Sequence, residues 1–144
     1  MDMNLNELYS EVIKEHSISG HNKKHLRLPT AVMPGRNPSC GDEIELELQV
    51  ENGVIADGSF TGVGCAISQA SVSIMIDLVR EKTVEEGRRL AEIFLKMATR
   101  QPLSDDELDE LEDAAALKNI SDMPARVKCA TMPWHTLVKV LDNL

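Results

Sequence analysis

Residues 43–50 read EIELELQV. Ile44, Leu46, Leu48 and Val50 alternate with Glu45, Glu47, Gln49 and Glu51. A period of two belongs to a strand with one buried and one wet face. Asn52-Gly53 follows at once, the pair that most favours a two-residue type I′ hairpin turn. VIADGSFTGVG is then the returning strand, with Gly58 the candidate bulge. A one-residue slip would turn the glutamates into the core, so the register is tightly specified.

From Cys65 the period changes to helical. Ile67, Ala70, Ile74 and Leu78 make one stripe, and Val72, Met75 and Val79 a second; a helix apolar on two sides belongs at the centre of a fold. A helix follows from about Val84 to Thr99, with Leu90, Phe94 and Met97 inward, and Pro102 ends it. Ser104 and Glu107 form a capping box for a helix through SDDELDELEDAAALKNI, with a narrow stripe of Leu108, Leu111 and Leu117. Its seven acids between Asp105 and Asp113 are read either as a docking face for a basic partner or, the commoner case, as a solvated helical face. The last helix spans about Pro124 to Leu141, with Val127, Leu137, Val140 and Leu141 as core. At the other end, Leu5, Leu8, Val12 and Ile13 predict a helix from Asn4 to about His16, stopped by Gly20. HNKKHLRLPTAVMPGRN leaves room for an edge strand around Leu26 to Met33, since Pro29 is tolerated only at an edge.

A chain of 144 residues is expected to form one domain, 1–144, with a full core. Aromatics make up only 3%, so aliphatic residues and the seven methionines must fill it. Fifteen basic against 24 acidic side chains leave a net charge of −9. Such a surface repels phosphate backbones, and no basic stripe is present, so no nucleic-acid partner is expected. The N-terminus lacks the basic and apolar regions of a signal peptide. No apolar stretch approaches the roughly 18 residues of a membrane span. A soluble, cytoplasmic protein is expected. Three cysteines are an odd number for a reducing compartment, so metal binding or thiol chemistry is the better expectation for any that is not simply buried.

Each cysteine has a marked position. Cys40 lies in the loop NPSCGD before the first hairpin strand, Cys65 at the strand-to-helix junction after Gly62 and Gly64, and Cys129 in the first turns of the last helix. A loop entering one hairpin strand and the end of the other share a sheet edge, so Cys40 and Cys65 should be neighbours. Asp42, two residues on, can aim at the same point. With Cys129 docked there, three thiolates and one carboxylate would form a tetrahedral zinc set by ligand type. Zinc would hold the cysteines as thiolates, and the helix N-terminus would favour the Cys65 thiolate further. Plain alternatives stand beside this: a core role for Cys65 or Cys129 and a turn or capping role for Asp42. The spacing also lacks the paired CxxC of ordinary zinc sites.

His16, His21, His25 and His135 lack HExxH or similar spacing and are read as surface or packing residues. There is no Gly-rich phosphate loop and no G-x-S-x-G motif.

NPSCGDEIEL, FTGVGCAISQASVSIM and RVKCATMPWHTL together resemble the three cysteine motifs of the IscU/NifU-N family of iron–sulfur cluster assembly proteins. The resemblance is closer to its SufU branch. Scaffold-type members carry His-Cys at the third motif, where this chain has Lys128-Cys129, and the segment Ser104 to Ile120 matches the insertion of the SufU branch. The resemblance implies an α+β fold, a small antiparallel sheet of about three strands packed against about five helices. It implies zinc bound by Cys40, Asp42, Cys65 and Cys129. It further implies a zinc-dependent sulfurtransferase, in which Cys40 accepts persulfide sulfur from a PLP-dependent cysteine desulfurase of the SufS type and the sulfur passes to the downstream iron–sulfur assembly machinery. PLP belongs to that partner. The alternative within the family is a scaffold binding an iron–sulfur cluster through the same cysteines; Lys128 counts against it. A third reading is an interaction module in which zinc only holds the fold. Arg126 and Lys128 flank Cys129, and alternate helix positions do not share a face well, so at most one should point into the site.

Overall fold

The computed structural model of the chain describes residues 9–144. Strands β1 (Ala31–Asn37), β2 (Asp42–Glu51) and β3 (Val54–Val63) form one antiparallel sheet in the order β1-β2-β3. Asn52 and Gly53 take φ of 52° and 76°, the positive pair that a type I′ turn requires. Ile44, Leu46 and Leu48 are buried while Glu43 and Glu45 are exposed, as the alternation predicts. Glu47, expected on the wet face, is buried because the 22–26 segment covers it and His25 and Leu26 bond its carboxylate. The bulge is not at Gly58. Gln49 faces Asp57 and Val50 faces Ile55, so Ala56 is the extra residue. Gly58 pairs in register with Leu48; a Cβ there would lie 3.2 Å from Leu48 Cδ2 and 3.3 Å from Ile76 Cγ2, so the glycine admits the neighbouring side chains.

The first strand lies further along the chain than Leu26–Met33. The segment before it is engaged elsewhere. Lys24 N–H donates to the Phe60 carbonyl at 3.0 Å and Leu26 N–H to Glu47 Oε1 at 3.0 Å, which carries residues 22–26 along β3 and over the outer face of the hairpin. The proline inside the edge strand is Pro34, not Pro29, and a terminal strand tolerates it.

A π-helical turn, Tyr9–Ile13, leads into α1 (Lys14–Ser19), which Gly20 terminates at φ 65°. Leu5 and Leu8 fall outside the described residues. Helices α2 (Ala66–Val79), α3 (Val84–Ala98), α4 (Asp105–Glu110) and α5 (Pro124–Asp142) follow, with a 3-10 segment, Glu112–Asp122, before α5. The two apolar stripes of α2 place it centrally: every residue from Ile67 to Ile76 is buried. Helix α5 packs on α2, α3 and β1. There Trp134 stacks on Phe94 at 4.1 Å, and its indole N–H donates to Ser71 Oγ at 2.9 Å, which gives a fully buried indole its partner. Among the described residues no helix is long and apolar enough to cross a membrane.

The acidic segment is not one helix. Its capping box is formed, but the α-helix ends at Glu110, Glu112 takes φ 49°, and a 3-10 segment continues. The reason lies in the apolar spacing. Leu111, Ala114, Leu117 and Ile120 are all buried and recur every three residues, the 3-10 period rather than the α period. Two of the acids are also engaged: Glu110 pairs with Arg89 at 2.8 Å and Glu107 with Lys96 at 3.8 Å, both on α3.

Candidate metal and thiol centre

The NPSCG stretch closes as a tight turn between β1 and β2. Cys40 N–H donates to the Asn37 carbonyl at 3.2 Å, and Gly41 takes φ 69°. The turn leaves Cys40 half-buried at its tip. Asp42 opens β2 on the inward face and is 2% exposed. Where β3 ends, beside the start of β2, Gly62 takes φ 123° against the backbone of Glu43, and Cys65 N-caps α2, its Sγ accepting from Ser68 N–H at 3.5 Å. Cys129 arrives on the second turn of α5 and is fully buried.

These elements converge on one point. The ligand atoms of Cys40, Asp42 and Cys129 lie within 4.8 Å of one another, and the Cys40 and Cys129 sulfurs are 2.9 Å apart as free thiols. Cys65 Sγ is not part of that triple, but its side chain interacts with Cys129 and its N–H donates to Asp42 Oδ1 at 2.9 Å. Asp42 is held from three more sides. Ser68 Oγ donates to Oδ1 at 3.1 Å, Asn37 Nδ2 donates to Oδ2 at 3.3 Å, and Gly64 presents no Cβ where one would lie 2.7 Å from Oδ1. Asn37 Nδ2 also lies 3.6 Å from Cys129 Sγ.

The charge balance of the centre matters for what it can hold. Burial, then hydrogen bonding with Cys40 and Cys65, pushes the Cys129 thiol far above its ordinary range. The Arg126 guanidinium is raised in turn, first by the Cys65 charge and then by its hydrogen bond to Cys129. Of the two basic residues flanking Cys129, then, Arg126 points to the thiols. Three thiols and a carboxylate facing one another ionise together only if more positive charge joins them, and a soft divalent cation supplies it. The residues present therefore fit a thiolate-ligated metal.

Sequence reasoning placed Cys40, Asp42 and Cys65 at this end of the sheet, and the family resemblance added Cys129. It missed Asn37 and Ser68, because an Asn before Pro and a Ser in a first helical turn look like ordinary turn and cap residues. It read the histidines as surface or packing residues, and three of them anchor packing. His16 Nδ1 lies 2.8 Å from Ser73 Oγ, His21 Nε2 lies 3.1 Å from Asp77, and His25 Nδ1 lies 2.5 Å from Glu47.

Comparison with known proteins adds an independent line. The profile of the NifU-like N terminal domain matches residues 8–130, a span that holds Cys40, Asp42, Cys65 and Cys129. The chain belongs to the NifU-like N-terminal domain family. It is 38% identical over 136 residues to the zinc-dependent sulfurtransferase SufU of Bacillus subtilis, covering 94% of this chain and 90% of that one. It is also 38% identical over 137 residues to the iron-sulfur cluster assembly scaffold protein IscU of Thermotoga maritima, covering 95% and 94%. Among solved structures, a crystal structure described as a scaffold protein for the SUF system, from Fervidobacterium islandicum AW-1, superposes with a TM-score of 0.85. That pair is 31% identical over 96% of this chain and 99% of the other. The solved structure shares the α+β architecture of this chain, and the names of the relatives divide between sulfur transfer and cluster scaffolding.

Proposed function

We propose that the chain is a zinc-dependent sulfurtransferase of iron–sulfur cluster assembly, which accepts sulfane sulfur on Cys40 from a PLP-dependent cysteine desulfurase of the SufS type and stimulates that enzyme. The observation that carries this reading is the unequal mounting of the cysteines. Cys40 sits half-buried at a turn, while Cys65 caps one helix and Cys129 is buried within another. A sulfur acceptor has to reach a partner's active site and a fixed ligand does not. Cys40, Asp42, Cys65 and Cys129 would hold the zinc. When bound, zinc keeps its sulfur ligands deprotonated at neutral pH.

The transfer is thiol–disulfide-type exchange. The Cys40 thiolate attacks the outer sulfur of the partner's cysteine persulfide. A new sulfur–sulfur bond forms on Cys40 and the partner's sulfur–sulfur bond breaks. The partner's cysteine leaves as a thiolate, and no net oxidation occurs. Arg126, already directed at the thiols, favours the anionic persulfide. Asn37 and Ser68 hold Asp42 while Cys40 is engaged.

The same cysteines would support a cluster scaffold, and the 38% identity to a protein of that name is what favours that second reading. Lys128, in place of the histidine expected before the third cysteine of scaffold members, favours sulfur transfer. Metal and acid-labile sulfide content, with a desulfurase assay, separate the two. Protein purified without added metal is expected to carry about one zinc per chain and no sulfide, and Cys40→Ala to abolish desulfurase stimulation while circular dichroism stays native. Iron with matching sulfide, or a Cys40→Ala protein that still stimulates, would overturn the proposal.

A further inference from the structure

Beside the thiol centre a groove of about 610 Å³ runs between β1 and α5. Its side chains include Arg36, Lys128, His135 and Lys139, with Thr131 and Met132 between them, and no acid lines it. Lys128, His135 and Lys139 recur at seven and four residues, which keeps them on one helix face. Gly35 lets α5 approach this closely, because a Cβ there would collide with Thr136 Oγ1 and lie 2.9 Å from Met132 Sδ.

What distinguishes the groove is that it gathers Arg36, Lys128 and Lys139 with no acid in its lining, in a chain of net charge −9. Elsewhere Arg80, Arg88, Arg89, Lys96 and Arg100 have carboxylate partners, while exposed Lys14 and Lys118 form no ion pair among the described residues. Lys128 and Lys139 pair with no acid among the described residues, and Arg36 meets only exposed Glu43 at 3.6 Å. Burial, then the neighbouring Lys139 charge, holds His135 below the usual imidazole range. Cations clustered in one groove of an acidic protein with no acid among them mark a surface that meets negative charge. The groove is also continuous with the thiol centre. Asn37 lines it and also bonds to Asp42, and Lys128 precedes Cys129.

We infer that this groove docks an extended acidic segment of the sulfur-donating desulfurase, aligning the donor with Cys40. The inference rests on the sulfur-transfer reading above. The geometry sets the occupant's pattern. Along the helix axis Lys128 and His135 are about 10 Å apart, and His135 and Lys139 about 6 Å apart. Alternate side chains of an extended chain share a face at about 6.6 Å per pair of residues, so carboxylates two, four or six residues apart can meet this helix face together.

The test is a dose response: the concentration of this protein that half-saturates stimulation of a PLP-dependent cysteine desulfurase, at low and high salt. Lys128→Glu/Lys139→Glu is expected to raise that concentration about tenfold or more and to flatten its salt dependence. Lys14→Glu/Lys118→Glu makes the same change in net charge on exposed residues outside the groove and is expected to shift it far less. Lys139→Glu alone, nearly three helical turns from Cys129, should show the effect with native zinc content, which removes disturbance of the centre as an explanation. Equal shifts in the two double variants, or no shift in either, would overturn the groove assignment while leaving sulfur transfer standing. Groove-dependent retention of single-stranded RNA with an unmoved desulfurase dose response would reassign the occupant and overturn it too. Wild-type protein that never stimulates the desulfurase would sink the sulfur-transfer reading itself, and the groove proposal with it.

Discussion

Asp42 has almost no freedom. Its carboxylate accepts from the Cys65 backbone, Ser68 Oγ and Asn37 Nδ2, and Gly64 leaves it just enough space. Gly64 is the sharpest probe of this, because it bears no chemistry of its own. A methyl group there would meet Ser68 Oγ and lie 2.7 Å from Asp42 Oδ1, so the carboxylate must turn away. Gly64→Ala is expected to weaken zinc retention by about 10–100-fold, the range for groups that orient a metal ligand, with far-UV circular dichroism unchanged; chelator competition reads it. Unchanged zinc affinity would mean that Asp42 is not a ligand. At this scale the sequence shows its chemistry but not its supports. Cys40 stands out because a thiol in a polar loop has few plain uses; Asp42, Cys65 and Cys129 have plain turn and core roles, and the three cysteine motifs taken together single them out. Asn37 and Ser68 do not stand out, since their roles exist only once β1, β2 and α2 meet.

Elements that announce themselves by local physics were readable: the alternating strand, the Asn-Gly turn, the Ser104 capping box, and the two-sided apolar helix. Elements set by tertiary contact were not. The 22–26 segment was captured by Phe60 and Glu47, which displaced the first strand. The three-residue spacing of Leu111, Ala114, Leu117 and Ile120 overrode a good α-helical start. The seating of α1 is similar, because His16 and His21 close on Asp77 of α2, which Asn22 and Arg80 also hold. Burial alone would raise the Asp77 pKa. Hydrogen bonds from Asn22 and Arg80, with the charges of His21 and Arg80, outweigh it and hold the carboxyl below its usual range. A depressed carboxyl stabilises the fold above its unfolded pKa, and that contribution is lost as the pH falls through its lower folded value. Asp77 is partly exposed, with 36% of its side chain in solvent, so screening limits the effect. Asp77→Ala is expected to cost about 1 kcal/mol near neutral pH. Urea titrations should show the gap to wild type closing as the pH drops below about 4. A gap that persists unchanged in acid would show that the loss is packing, not charge.

For the whole molecule, the decisive feature is that three distant segments meet at one end of the sheet. Hairpin topology explains the first two, because the turn into β2 and the exit from β3 share an edge. The third depends on where α5 lies, and that is set by Trp134 against Phe94 and by Gly35 under Thr136 and Met132. These contacts join residues far apart in the chain and leave no local pattern, so the meeting of Cys129 with the other two was readable only through resemblance to a known family. The same placement puts the cationic groove beside the thiols and the acids of α4 against α3. The central claim is that this convergence serves sulfur acceptance at Cys40, and localisation of the transferred sulfur tests it most directly. The protein is incubated with the desulfurase and free cysteine, alkylated without reductant, digested, and each cysteine peptide is examined by mass spectrometry. The account predicts one additional sulfur on the Cys40 peptide, dependent on cysteine and on the desulfurase. Sulfur found on Cys65 or Cys129 instead, or on none of the three while the desulfurase turns over, would contradict it.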